Sequence, residues 1–572
     1  MIKDIINIIH LLKKKEIFLL CVNTLSNFFG IFLEMLALSL IVPIFRIVFL
    51  NDTFSDFFLT KFLYGFSIEH NINFKFLVLF LFTLLFCIKN FLLIIISYLN
   101  FKFLNLLCIR LSKDLFSLYL EQGYDFFLSS NSDNLLRKLT TDINGVKNFI
   151  VSLQILFAEF IFIFSLSILL FYSNQKIFIF ISILFLSVFF IYIKIIRKRI
   201  LAWSALFQSN TGNLQTLVNS AIKGIKDIFI YNLKEQFIKK FSNFTRNTYL
   251  PSFKQDFINI ILRFWMELLA IFAIISPMIF FLLTEREIEK LLPLFALFAI
   301  SIFKAMPSIN RLLNSYQSLK YYKISSNFIF NEFFTLNKNH KAFETNIVFN
   351  KSIEFRDVSF SYDKNKSFVF KNLDFKIKKG ECVAILGDNG TGKSTILNLL
   401  SGLLKETSGS VLLDSIDQEI YSNKNWIKKI SYIQQNIFLL NDSIKKNIIL
   451  EKELFDEKKF KEINQILSLD KSFNKFNSKL ETVVGEDGLF LSGGQKQLIS
   501  IARALYKNSE IIMFDEADSF LDAYYTINLK DLFRKLKNKV TIIVITHDSS
   551  ILDNSFDRIL KIDNHSLVEI LK

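Results

Sequence analysis

The stretch Gly387-Asp388-Asn389-Gly390-Thr391-Gly392-Lys393-Ser394-Thr395 fits G-x-x-x-x-G-K-[ST]. It follows an apolar run, Cys382 to Leu386, that reads as a strand, and opens a run, Ser394 to Leu400, that reads as a helix. That context makes the glycine-rich string a phosphate-binding loop. Its backbone N–H groups can wrap phosphates, Lys393 can reach the β- and γ-phosphates of a nucleotide, and Ser394 can hold Mg2+. Alone, the loop implies only a nucleotide. Further along the chain stands a second short motif, Leu491-Ser492-Gly493-Gly494-Gln495.

Composition sets the frame. The chain has 572 residues, enough for two or more domains. It is 52% hydrophobic with mean hydropathy +0.38, too apolar for an ordinary soluble protein. Its 68 phenylalanines fit lipid-facing helix surface. A net charge of +16 could suggest nucleic acid. The lysines and arginines, however, cluster beside apolar segments, which fits membrane topology and argues against a nucleic-acid partner. Cys21, Cys87, Cys108 and Cys382 have neither metal nor disulfide spacing and read as structural thiols. The N-terminus carries no cleavable-signal pattern, because its first apolar run is long and lacks a small-residue cleavage site.

Apolarity is uneven. Residues 1–330 hold six long apolar runs, near 17–49, 73–99, 149–172, 177–196, 256–284 and 291–312. Each is long enough to cross a hydrocarbon layer that needs about 20 residues. Residues 51–72 leave room for a small external helix. The stretches 100–148 and 197–255 are long, polar and helical in pattern, and carry Arg110, Lys113, Arg137, Lys138, Arg197, Lys198, Lys223, Lys226 and Lys239. With Lys13, Lys14 and Lys15 they are placed on the cytoplasmic side. Residues 331–350, where periodicity lapses, read as a linker. Residues 351–572 alternate strands and helices, the pattern of an α/β domain.

Followed by LSGGQ, the phosphate loop resembles the ATP-binding-cassette (ABC) family. Two long cytoplasmic hairpins beside a cytoplasmic ATPase resemble an ABC exporter half. The expected fold is therefore a membrane α-helical bundle of six transmembrane helices, type IV ABC exporter-like, joined to an α/β P-loop ATPase domain. Gly123 to Phe127 with Asn134 to Ile143, and Gly224 to Ile230, resemble exporter coupling helices. Ile511-Ile512-Met513-Phe514-Asp515-Glu516 reads as a buried strand ending in two carboxylates, the Walker B pattern. Asp515 would support Mg2+ and Glu516 would polarise the attacking water. The resemblance supplies further roles: Tyr362 stacking on adenine, Gln435 as the Q-loop glutamine at Mg2+ and water, and His547 as the switch histidine at the γ-phosphate. The nucleotide set is completed by Gly387, Asn389, Gly390, Gly392, Lys393, Ser394 and Thr395, with Ser492, Gly493, Gly494 and Gln495 at the signature helix. Ser519-Phe520-Leu521-Asp522 resembles the D-loop, with Phe where Ala is usual. Thr482-Val483-Val484-Gly485-Glu486 resembles a loop specific to exporters. In this family the signature serves the ATP on a partner's P-loop. One cassette with six helices therefore implies a dimer, and intact Glu516 and His547 imply a homodimer.

Cargo must be read from charges inside apolar runs, which are costly and usually functional. These are Glu34, Lys89, Arg263, Glu267, Lys304 and Arg311. At 1.5 Å per residue, Lys89 lies about 24 Å and Lys304 about 20 Å from the outer ends of their helices, in the inner half of the layer. Lys89, Arg263, Lys304 and Arg311, doubled by symmetry, would form a cationic belt suited to a diphosphate. Plainer readings stand beside it: Arg263 and Glu267 can pair at i,i+4, Arg311 can mark the boundary, and Lys89 can snorkel. Glu34 to Pro43, Met306 to Arg311 and Ile433 to Ile444 resemble the bacterial lipid-linked oligosaccharide flippases of N-glycosylation (PglK-type). That resemblance implies ATP- and Mg2+-driven flipping of a polyprenyl-diphosphate oligosaccharide across the bacterial inner membrane. The alternatives are a multidrug or lipid A exporter and, from another class, a regulatory membrane ATPase without cargo.

Overall fold

The structure, a computed structural model, describes residues 2–40, 58–69, 73–180, 212–283, 288–338, 344–362, 368–388, 390–450, 455–516, 523–547, 552–563 and 566–570, with a few isolated positions between them. The chain divides into two compact units. One holds residues 1–120 and 131–338, the other 121–130 and 339–572.

The first unit is helical. Its helices are α1 (Ile2–Leu11), α2 (Lys14–Ser39), α3 (Phe58–Glu69), α4 (Phe74–Leu120), α6 (Ser132–Arg137), α7 (Ile143–Ser173), α8 (Ile225–Ile230), α9 (Lys234–Leu283) and α10 (Ile288–Lys338), in addition to shorter described stretches. Among the described residues four helical segments are long and apolar enough to cross a membrane: Lys14–Ser39, Phe74–Leu120, Ser132–Ser173 and Ala296–Asn337. The expected span at 177–196 falls mostly outside the described residues, as does Pro43. The expected span at 256–284 lies on α9, several of whose side chains are also outside them. A helix, α3, lies within the stretch 51–72, where a small helix was expected.

The helices run further than their apolar segments. α4 continues from the apolar run through the polar stretch to Leu120 without a break. α10 passes through Pro307 and reaches Lys338, well into the stretch read as a linker. Hydropathy marks where lipid ends, whereas helical hydrogen bonding continues into water.

α2 begins where Lys13 N–H donates to Glu16 Oε2 at 2.8 Å, a carboxylate closing the first turn. Glu16 is held in turn by Arg110 of α4, Nη2 to Oε2 at 2.6 Å. Higher up, Gly30 lets α2 and α4 approach, since a Cβ there would sit 2.8 Å from Leu93 Cδ2. Leu38, Phe162, Leu166, Ala273, Phe298 and Ile302 form the interior of the bundle. Phe76, Phe80, Phe91 and Ile94 point outward, as lipid contact requires.

The second unit is built on a sheet of order β5-β6-β7-β3-β8-β9. Its strands are β3 (Cys382–Leu386), β5 (Ile430–Ile433), β6 (Ile511–Asp515), β7 (Thr541–Ile545), β8 (Arg558–Asp563) and β9 (Ser566–Ile570). All neighbours pair in parallel except β8 with β9. Alternating side chains feed two cores: Ile512 and Phe514 of β6 face one, Ile511 and Met513 the other. A separate antiparallel sheet, β2 (Phe370–Lys378), β1 (Ser352–Phe360) and β4 (Ser408–Leu413), lies in the same unit. The helices used below are α11 (Lys393–Leu400), α12 (Gly493–Lys507) and α13 (Ala523–Leu536).

Helix α5 (Tyr124–Ser129), the first expected coupling segment, belongs to this second unit. The Tyr421 hydroxyl donates to Asp125 Oδ1 at 2.8 Å. A Cβ on the preceding Gly123 would lie 2.8 Å from that same hydroxyl. Burial, and then Asp125, push the Tyr421 hydroxyl up to about 12.

Candidate functional site

The site gathers at the carboxyl ends of β3, β6 and β7, the edge where open parallel sheets bind ligands. After β3 the chain turns through Gly390 and Gly392, with φ +82° and +94°. L side chains rarely take these conformations, and a Cβ on Gly392 would also meet Val369 Cγ1 at 2.5 Å. Gly387 opens the turn, where a Cβ would sit 2.9 Å from Thr391 Oγ1. Asn389 lies outside the described residues. Gly392 is the N-cap of α11, so the free N–H groups of that helix face the loop.

Lys393 is buried, and its ammonium donates to the Gly387 carbonyl at 2.8 Å and the Asp388 carbonyl at 3.0 Å. It also lies 2.9 Å from His547 Nε2 and 3.8 Å from Glu516 Oε1. Burial holds its pKa below the usual lysine value against the opposing pull of Glu516 and Asp515. Ser394 donates to Asp515 Oδ1 at 3.0 Å. Gln435 Nε2 donates to Glu516 Oε2 at 2.8 Å, and His547 Nε2 is 2.7 Å from Glu516 Oε1. Residues from four segments thus meet around two adjacent carboxylates. Glu516 itself has φ +51°, an uncommon left-handed conformation for a side chain of its kind, at the exit of β6.

The serine hydroxyl, the Asp515 carboxylate and the Gln435 side chain are hard oxygen donors suited to Mg2+. Burial lifts the Asp515 pKa, while hydrogen bonds from Tyr432 and Ser394 hold it back. Tyr432 was not singled out from the sequence, yet its hydroxyl donates to Asp515 Oδ2 at 2.9 Å. Its own pKa is raised by burial and then by Asp515, so it stays a donor. The available signal was alternation: Tyr432 is the less buried side chain of β5 between Ser431 and Ile433, on the strand beside β6.

Tyr362 is 58% exposed, with its hydroxyl 2.9 Å from Thr395 Oγ1 and its ring edge-on to Phe360. That leaves an aromatic surface beside the loop. Ser492 caps α12 through a reciprocal capping box with Gln495, whose side-chain amide also donates to the Ser472 carbonyl at 3.0 Å. Gly493 and Gly494 form the first turn, so the helix starts with open N–H groups. The D-loop segment 517–522 lies outside the described residues. Arg503, also missed, anchors the chain after Gln435 by donating to the Phe438 carbonyl at 2.6 Å and to Asn447 Oδ1 at 2.8 Å. Burial lowers its pKa to about 10.

Two of the four basic residues expected to form a cationic belt are paired with carboxylates. Lys304 Nζ pairs with Glu34 Oε1 at 2.6 Å. Arg311 pairs with Glu159, an acid that sequence reading did not single out. Lys89 is buried, lies 4.4 Å from the centre of the Phe86 ring and within electrostatic reach of both Lys304 and Glu34. Among the described residues no carboxylate lies within ion-pair distance of it. The Arg263 side chain is outside the described residues. The correction has a plain cause: a lone cation in hydrocarbon is expensive, so partners on other helices neutralise it.

A helical membrane unit with a P-loop ATPase carrying a signature helix defines the class of ATP-hydrolysing exporters. Residues 20–314 match the ABC transporter transmembrane region and residues 370–519 the ABC transporter ATPase. The chain belongs to the ABC transporter family. It is 30% identical to the multidrug resistance-like ATP-binding protein MdlA of Buchnera aphidicola, with 82% of this chain and 81% of that protein covered. It is 28% identical to the ATP-dependent lipid A-core flippase of Wigglesworthia glossinidia brevipalpis, covering 80% and 79%. The Escherichia coli K12 lipid A-core flippase is 27% identical over 78% and 76%. A bacterial Atm1-family ABC exporter solved with ATP bound superposes with TM-score 0.76 at 18% identity, covering 97% and 95%, and so shares the fold.

Proposed function

We propose that two copies of this chain form an exporter that uses ATP to move an amphipathic lipid with an anionic headgroup out of the inner leaflet of the bacterial cytoplasmic membrane. The observation that carries the motor half is the meeting of Lys393, Ser394, Asp515, Glu516, Gln435 and His547 at one strand edge. Lys393 and the loop N–H groups would take the β- and γ-phosphates. Mg2+, which neutralises phosphate charge when bound, would be held by Ser394, Asp515 and Gln435. Glu516 would orient and polarise the attacking water, with His547 beside it at the γ-phosphate. Ser492 and the first N–H groups of α12 would address the nucleotide on the partner's loop, which gives two equal sites in a homodimer.

For cargo, the names of the relatives favour lipid A-type or multidrug cargo over the oligosaccharide expected from sequence, and the pairing of Lys304 and Arg311 removes much of the free charge that a diphosphate belt would use. The polyprenyl-diphosphate oligosaccharide remains a second reading, supported by Lys89, a buried cation that no described carboxylate contacts at ion-pair distance. Proteoliposomes supplied with ATP decide between them. Fluorescent lipid A-type lipid should move and stimulate ATP hydrolysis. Movement of the lipid-linked oligosaccharide alone would favour the second reading, and movement of neither would overturn both.

A further inference from the structure

An apolar groove of about 440 Å³ runs between α1, α2 and α7, lined by Ile17, Cys21, Phe28, Leu153, Gln154 and Phe157 among others. We infer that it is a binding site for one acyl chain of an anionic glycerophospholipid of the inner leaflet, held as a resident lipid and not as cargo. From Ile17 to Phe28 the α2 wall is about 16 Å long at the rise of an α-helix. That matches one leaflet, about half of the roughly 30 Å hydrocarbon core. Two of its three walls, α2 and α7, belong to membrane-crossing segments and the lining is mostly apolar, so lipid is the medium that fills it.

Two further observations specify the occupant. Gln154 is 7% exposed and lines the groove; its Oε1 accepts from Asn100 Nδ2 at 3.2 Å, while its Nε2 and the Asn100 Oδ1 are both without a hydrogen-bond partner. A buried amide donor without an acceptor is costly, and an acyl ester carbonyl supplies one at this depth. At the inner end, Lys14 and Lys15 are exposed beside the groove residues Leu12 and Ile17, next to Lys13, whose ammonium lies 3.9 Å from Asp114, and His10 is in the last turn of α1. A cluster of lysines at the membrane surface complements an anionic headgroup. The site stands apart from Glu34, Lys89 and Lys304 and does not depend on the cargo reading.

The test uses the full-length protein in phosphatidylcholine vesicles doped with phosphatidylglycerol carrying a photoactivatable acyl chain. Label should concentrate on peptides containing Cys21 to Phe28 and Leu153 to Phe157, and unlabelled phosphatidylglycerol should displace it while phosphatidylcholine does not. Gln154→Leu, which keeps the groove apolar but removes the donor, should lower labelling about threefold and leave basal ATP hydrolysis unchanged. Cys21→Trp, which fills the groove, should lower it about tenfold. Label spread equally over the outward Phe76 to Phe91 face of α4 would overturn the inference, as would equal competition by phosphatidylcholine. Label chased from the groove by ATP together with transported lipid would make the groove a cargo path and overturn its resident role.

Discussion

The nucleotide site and the membrane charge cluster both hold ionised groups out of water, and they balance them differently. In the ATPase, Asp515 and Glu516 are met by a buried lysine, a serine, a tyrosine, a glutamine and a histidine, all donors or charges aimed at where phosphate and metal go. In the membrane, Lys304 and Arg311 are each met by one carboxylate. The first arrangement is poised for a ligand that brings more charge. The second is already paired, so on the proposed reading an anionic headgroup would compete there with Glu34 and Glu159. The nucleotide site is preorganised, whereas cargo binding at the membrane pairs, as proposed, would involve an exchange of partners.

The widest separation between the regions comes from Glu516→Gln. It should cut ATP turnover about a thousandfold while nucleotide binding persists, read by phosphate release and nucleotide trapping. Retained hydrolysis would remove Glu516 from the reaction. Next, Lys393→Ala should weaken ATP binding about a hundredfold by removing charge-assisted bonds to phosphate, measured by titration with a fluorescent nucleotide. Ordinary affinity would break the loop assignment.

In the membrane, Glu34→Leu alone should destabilise the protein by about 3 kcal/mol, because it leaves Lys304 uncompensated. Glu34→Leu combined with Lys304→Leu should recover stability, followed by thermal unfolding in detergent. The double variant should still hydrolyse ATP and move an anionic lipid about tenfold more slowly. Full transport by it would show that the pair serves only packing.

The smallest effect concerns Tyr432→Phe. Losing the bond to Asp515 removes a donor that favours the charged carboxylate. The Asp515 pKa, already raised by burial, should rise further. Mg2+ needs the ionised form, so the acid limb of Mg2+-dependent hydrolysis should move to higher pH, and Mg2+ affinity near neutrality should fall about fivefold. An unchanged acid limb would confine Tyr432 to packing.

Much of the motor was legible because its parts are local. Gly392 must take a positive φ, Lys393 follows it, and Asp515 and Glu516 end an apolar strand, so short motifs carry the geometry. Tyr432 was not legible, because an aromatic in a strand reads as core and its role arises only from the β5–β6 pairing. The membrane half shows the same limit more sharply. Apolar runs located the spans, but Glu34 and Lys304 stand 270 residues apart, and only folding reveals them as one pair. Glu159 sits in an apolar run like the other acids and was passed over. The end of α10 differs from the linker reading at 331–350, since hydropathy reports solvent and not backbone hydrogen bonding.

Helix α5 gives the ATPase unit a discontinuous blueprint. A fragment excised at residue 339 would lack Glu121–Ser130 and leave the Tyr421 hydroxyl without Asp125. Rates and stabilities measured on such a fragment would describe a truncated module. Grafting the Glu121–Ser130 segment back, in trans or by fusion, should restore the missing part of its surface.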